Sequence, residues 1–384
     1  MSSAFSAKNL QEFEPHMSKD IRKLVDSFQR RLEGSKTAAL DFNVYGTIHI
    51  IQYSYPTDAY SANFLAFDAI GDFAFGEPFG FLDREEDYLN LIDAVDARGE
   101  VLNALGHVPR SLRAFMKYLP FDSFWLKGVQ GTQVLGTLGT RAYFKRRDQA
   151  SSRKDLLSFL FNAKDPTTGD PLMENEVIAE SISFIVGGSD TTSSSMTNIV
   201  DIVSRAEAVQ RYLQEELDVA FPGDMAADWV ADFKTVESLP VLNAIVREAL
   251  RLRPTSATGL ERVTPMGGKV IAGRSFPEGT LVSVPTLNIH HNPVVFKDSE
   301  SFCYERWIGE DSSRLLDSFI PFSVGPRACT GRNFAWMEML KTLATLFKLF
   351  HLERVFVGDT VLREGFFMKS QECEVVLKRR TVQA

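Results

Sequence analysis

From Leu10 the apolar residues fall at Phe13, Met17, Ile21, Leu24, Phe28 and Leu32, steps of three and four that draw one face of an amphipathic helix. "NFLAFDAIGDFAFG" (63–76) and "SSRKDLLSFLFNAK" (151–164) read as two further helices. "NEVIAESISFIVGGSDTTSSSMTNIVDIVSRAEAV" (175–209) predicts one long helix with Gly187 and Gly188 in its middle. Glycine there costs up to about 1 kcal/mol against alanine, so a packing or functional reason is expected for each. "LPVLNAIVREALRLRP" (239–254) predicts another helix, stopped by Pro254. Beyond it the period changes. "GLERVTPMGGKVIAGRSFPEGTLVSVPT" (259–286) holds short β-prone runs divided by Gly-Gly and Pro-Glu-Gly turns, and "CEVVLKRR" (373–380) closes the chain with another. The expectation is a single domain over 1–384, mainly α with a minor β subdomain. Its helical core would span 9–254 and 330–351, and its small sheet regions about 255–286 and 352–379.

Composition narrows the classes of function. The 42 Lys plus Arg against 50 Asp plus Glu give a net charge of −8, which argues against bulk nucleic-acid binding. No segment reaches the roughly 18 uninterrupted apolar residues of a membrane-spanning helix, and "MSSAFSAKNLQEFEPHM" turns polar too soon for a signal peptide. Cys303, Cys329 and Cys373 are too few and too scattered for a disulfide framework, and no CxxC pair suggests zinc. Whichever cysteine matters chemically acts alone.

Cys329 stands out by its setting, "SFIPFSVGPRACTGRNFAWMEML" (318–340). A metal-binding thiolate needs its charge stabilised, which the N–H groups of a tight loop and of a following helix N-terminus provide. Gly325 and Gly331 let backbone approach the sulfur and a flat ligand. Arg327 can pair with an anionic group on that ligand, and Phe334, Met337, Leu340, Leu343 and Leu346 turn the following helix, from about Asn333, inward.

The run Phe322-Ser-Val-Gly325-Pro-Arg327-Ala-Cys329-Thr-Gly331 closely resembles the haem-ligand signature of cytochrome P450 enzymes, F-x-x-G-x-R-x-C-x-G. Other stretches agree in the order that family requires. "EALR" supplies Glu248 and Arg251 one turn apart, and in the family these join a later arginine, here Arg306 in "FCYERW", in a buried polar lock; Tyr304 stands where proline is common. "GGSDTT" resembles the oxygen-activation motif. That likeness implies Gly187 and Gly188 leaving room for dioxygen and letting the helix bulge, Thr191 hydrogen-bonding dioxygen, and Asp190 relaying protons from solvent. "GLERV" puts Arg262 where family members hold a haem propionate, and His290 and His291 in "LNIHHNPVVF" are expected to be structural. By family position, Phe184, Thr258, Gly259 and Phe367 are the expected substrate-pocket residues.

The resemblance covers nearly the whole chain and is greatest to fungal enzymes of the benzoate 4-monooxygenase type, a group that also includes many secondary-metabolite oxidases. It implies a haem-thiolate monooxygenase that inserts one oxygen atom from O2 into a small or medium apolar or aromatic molecule. Electrons would come from NADPH through NADPH-cytochrome P450 reductase, and the chain would be a monomer. It implies residence at the endoplasmic reticulum membrane surface, although this chain carries no anchor and a cytoplasmic place stays open. Two alternatives stand beside it: a truncated, haem-less remnant acting as an interaction protein, and a peroxide-using relative that needs no reductase. The family's front end, with its anchor, sheet and W-x-x-x-R helix, has no counterpart before "AFSAKNL"; tryptophan occurs only at 125, 229, 307 and 336. "YGTIHIIQYSYPTDAY" (45–60) reads like an insertion, either a surface loop or a retained intron.

Overall fold

The computed structural model describes residues 4–44, 61–116, 122–149, 153–165, 167–309, 312–356, 358–370 and 372–381. The inserted-looking stretch 45–60 lies outside the described residues. The periodic N-terminal face becomes α1 (Ala7–Arg31), whose Ser6 cap accepts the Asn9 N–H. Its predicted stripe from Phe13 to Phe28 is buried. The chain then makes β1 (Thr37–Val44), a strand the apolar pattern does not announce. The next helix, α2 (Ser61–Phe75), is apolar almost all round and correspondingly sunk in the core.

The short α3 (Phe81–Arg84), α4 (Leu91–Gly106), α5 (Arg110–Met116) and α6 (Ser123–Asp148) follow. Of the helix predicted over 151–164, only α7 (Leu156–Phe161) forms, because Asp155 becomes its N-cap: its carboxylate accepts the Ser158 N–H at 2.8 Å while Ser158 Oγ takes the Asp155 N–H. The long helix expected over 175–209 is likewise two. α8 (Glu174–Arg205) ends where Ala206 leaves helical geometry, at φ −111° and ψ 81°, and α9 (Glu207–Ala220) restarts. The short α10 (Phe233–Val236) leads to α11 (Pro240–Leu252), which begins on a proline at its first turn, as its missing N–H allows.

Four short strands follow: β2 (Arg262–Val263), β3 (Lys269–Ile271), β4 (Arg274–Phe276) and β5 (Leu281–Val282). Then come α12 (Thr286–His290), α13 (Ser312–Leu316) and α14 (Arg332–Leu349), and β6 (Phe350–Arg354), β7 (Leu362–Glu364), β8 (Met368–Ser370) and β9 (Glu372–Arg379). The sheets are small and antiparallel. β2 pairs with β5, β3 with β4 and β7 with β8, while β9 lies between β1 and β6. Leu40 faces Val375 and Leu352 faces Leu377 in that central register, which buries one face of the ribbon. β1 therefore ties the expected helical region 9–254 into the C-terminal sheet, and the helical and sheet regions do not separate along the chain as expected.

α8 runs through the middle of the molecule, with every residue from Thr192 to Ser204 buried. So polar a helix survives there because its hydroxyls bond back one turn: Ser189 Oγ donates to the Ile185 carbonyl at 2.6 Å, Ser194 Oγ to Asp190 at 2.7 Å and Thr197 Oγ1 to Ser193 at 2.9 Å. α2, α11 and α14 pack along it.

Candidate active site

The Cys329 loop precedes α14. Val324 is extended, Gly325 takes φ +78°, and a single 3-10 turn over Gly325–Arg327 sends the chain back. The Cys329 N–H then donates to the Phe322 carbonyl at 2.9 Å, closing the loop on itself. Gly331 caps α14, so the sulfur lies at the N-terminal end of an 18-residue helix. The side of the loop bearing Cys329 is open to solvent. Partial burial nevertheless pushes the thiol pKa up, against the neighbouring Gly331 and Arg332 N–H groups and the Arg332 charge, which pull it down. A metal cation held by the sulfur would displace that proton, leaving a thiolate beside those N–H groups. An exposed lone cysteine at a helix N-terminus and an open glycine-bearing loop fit a haem-iron ligand. Arg327 is exposed on that loop. Arg262, on β2, is exposed, and its guanidinium donates to the Leu260 and Glu261 carbonyls at 3.2 and 2.9 Å.

On α8 the two glycines behave differently. A Cβ at Gly187 would meet nothing within 4 Å, whereas one at Gly188 would lie 2.5 Å from Ile70 Cγ1 on α2. Gly187 alone borders open space; Gly188 is a packing glycine, which corrects the expectation that both make room. The helix is α-helical through both, without the expected bulge. Thr191 Oγ1 donates to the Gly187 carbonyl at 2.9 Å. Asp190, expected to pass protons from solvent, is buried. Its carboxylate accepts from Lys369 on β8, whose ammonium also reaches Asp96 on α4. Burial raises the Asp190 pKa to about 6, opposed by Lys369 and reinforced by Asp96. Lys369 thus joins Asp190 to Asp96.

These groups border a cavity of about 480 Å³ between α8, α4, and the β7–β8 turn. Its apolar wall is Val95, Leu102, Ile182, Val186, Phe366 and Phe367. Of the four expected pocket residues only Phe367 lines it. Phe184 turns into the core, and Thr258 and Gly259 lie outside it; a Cβ at Gly259 would lie 2.8 Å from the Val284 backbone, so that glycine permits close chain packing. Asp96 and Lys369 escaped sequence reading because nothing in their local pattern marks a charge that tertiary contact will bury.

The polar lock is brought together in full. Arg251 donates to both Glu248 oxygens at 2.9 and 2.8 Å, and Arg306 Nε donates to Glu248 Oε1 at 3.1 Å. The Cys303 N–H and Trp307 Nε1 complete the carboxylate shell at 3.0 and 2.8 Å. Arg251 spends its other donors on the His290, Ser299 and Ser301 carbonyls. His290 bonds the Arg251 carbonyl and accepts the Ile320 N–H, and burial lowers its pKa to about 4. That bond fixes the approach to the Cys329 loop.

Comparison with known proteins agrees with this geometry. The family model described as Cytochrome P450 matches residues 1–375. Benzoate 4-monooxygenase bphA of Aspergillus niger is 35% identical, over 99% of this chain and 74% of the relative. Cytochrome P450 monooxygenase penB of Penicillium thymicola is 31% identical, over 83% of this chain and 72% of the relative. Among solved structures, a cytochrome P450 titled CYP102L1 superposes with a TM-score of 0.79 at 22% identity, over 99% of this chain and 80% of that one. The chain belongs to the cytochrome P450 family. It is an enzyme of the haem-thiolate monooxygenase class, and the reading as a haem-less remnant is not favoured. No described helix is long and apolar enough to cross a membrane.

Proposed function

We propose that this monooxygenase inserts one oxygen atom from O2 into a small or medium apolar or aromatic organic molecule lying in the cavity beside Gly187. The enzyme would serve fungal secondary metabolism. Names among its relatives include a benzoate 4-monooxygenase and less specific monooxygenases, so they support an aromatic body without fixing the substrate. Electrons come from NADPH through NADPH-cytochrome P450 reductase, and the chain works as a monomer at the endoplasmic reticulum surface.

Cys329 would hold the haem iron, in a loop shaped by Phe322, Gly325 and Gly331, while Arg327 and Arg262 would pair with the haem's carboxylates. Haem held by a cysteinate supplies electron density that favours O–O bond cleavage. The chain's own residues prepare the site around it. Thr191 Oγ1 and the Asp190 carboxyl hold and pass protons on the cavity side of α8, with Lys369 fixing the carboxylate. The apolar wall of Val95, Ile182 and Phe367 excludes water from the substrate body.

The observation that carries this reading is Cys329, exposed on a glycine-bearing loop that closes on the Phe322 carbonyl at the N-terminus of an 18-residue helix. The test is the ferrous carbon-monoxide spectrum of the haem-loaded protein. The parent is expected to show the red-shifted Soret band of a thiolate ligand and Cys329→Ser to lose it. An identical spectrum in the serine variant would overturn the assignment.

A further inference from the structure

The charges around the cavity are matched unevenly. Asp190 and Asp96 share the Lys369 ammonium, and Glu100 on α4 pairs with Arg363 on β7. Arg98, on the same helix and also lining the cavity, is half-buried. Among the described residues it has neither an ion pair nor a hydrogen bond to a carboxylate. A guanidinium stays charged throughout the physiological range and presents a planar fork of donors that matches a carboxylate. Held against an apolar wall, it has lost part of its hydration without gaining an anion, and a bound anion restores that loss.

We propose that the substrate is an organic monocarboxylate with an aromatic or aliphatic body, and that Arg98 is the specificity-determining residue that binds its carboxylate. The proposal rests on reading this cavity as the oxygenation chamber and adds the substrate's charge to it. The body would lie against Ile182, Val186 and Phe367, and about 480 Å³ suits a small ligand. A cationic substrate is the rival, since Asp190 and Asp96 leave one negative charge beyond Lys369. Those two carboxylates already accept from the Lys369 ammonium, and Asp190 is buried. Arg98 has no such internal remedy. The other charges nearby, Glu100 and Arg363, cancel each other.

The test is an optical binding titration of the haem-loaded chain with three probes of related shape: benzoate, benzyl alcohol and benzyltrimethylammonium, whose nitrogen has no lone pair for the iron. Benzoate is expected to bind about 10-fold or more tighter than benzyl alcohol, the scale of a charge-assisted bidentate contact. Arg98→Leu should abolish that preference while leaving benzyl alcohol unchanged, and Arg98→Lys should keep part of it. Arg98→Gln, which preserves the polar stem, guards against a leucine variant that folds badly. Benzyltrimethylammonium binding tightest, benzoate binding no better than benzyl alcohol, or a preference that survives both Arg98→Leu and Arg98→Gln would each overturn the proposal. A parent chain without the thiolate carbonyl band would overturn the haem-thiolate reading and this proposal with it. A parent that keeps the band but shows no benzoate preference overturns this proposal alone.

Discussion

Glu338 lies on α14 with both carboxylate oxygens buried and without a hydrogen-bond partner among the described residues, and Asp20 on α1 has Oδ2 in the same condition. Burial pushes each pKa up to about 8, helped by the Asp20 charge at Glu338 and by Asp72 and Asp68 at Asp20. Both groups therefore hold protons in the folded chain that the unfolded chain releases near its ordinary carboxylate pKa. Their contribution to stability is complete below that ordinary range and is lost as pH rises toward about 8. Melting temperature is expected to fall across that interval, and to fall less steeply in Glu338→Gln, which needs no proton to be neutral. Thermal melts at a series of pH values decide this; parallel slopes in parent and variant would refute it. Cys329 could be picked out from its glycines and its arginine alone. Glu338 and Lys369 could not, because on paper each is one more charged residue whose partners, or lack of them, arrive from distant segments.

At the level of the element, α8 was visible as a long helix, but its two glycines could not be told apart. Packing against α2 separates them: Gly188 touches Ile70 and Gly187 touches nothing. Gly188→Ala is expected to destabilise the fold by about 1–3 kcal/mol through overpacking, less a helix-propensity gain of up to about 1 kcal/mol. Gly187→Ala should be neutral or gain about 0–1 kcal/mol, since the helix profits and no neighbour is displaced. Urea unfolding of the two variants measures the difference, and the reverse order would show the contact with Ile70 to be wrong. The other element-level surprises have equally local causes. α7 is short because Asp155 caps it, and α9 is separate because Ala206 turns out of the helix.

For the molecule as a whole, the carboxylate of Glu248 joins α11 to the segment carrying Arg306 and Trp307, and through Arg251 to the carbonyls of His290, Ser299 and Ser301. Glu248→Gln leaves two arginines, Arg251 and Arg306, facing a neutral amide in a buried site. A loss of about 3–5 kcal/mol is expected, as for the breaking of a buried ion pair from one side. Denaturant unfolding of the parent and variant, with haem retention followed in parallel, checks both the magnitude and the reach to the Cys329 loop through His290. A variant as stable as the parent would mean that the lock orders the segment without holding it.

The sequence by itself determined the helices with a clean apolar period, the β-prone turns after Pro254, the candidate ligand cysteine and the members of the lock. In each of these the physics acts between residues a few positions apart or within one short motif. Only the tertiary structure decided that β1 pairs with β9, that Gly188 packs while Gly187 opens, and that Lys369 lies between Asp190 and Asp96 while Arg98 meets no carboxylate among the described residues. Those outcomes depend on which distant surfaces come together and exclude water. Burial then sorts ordinary charges into pairs that leave the Arg98 guanidinium without a contacting carboxylate among the described residues, and no local pattern records that.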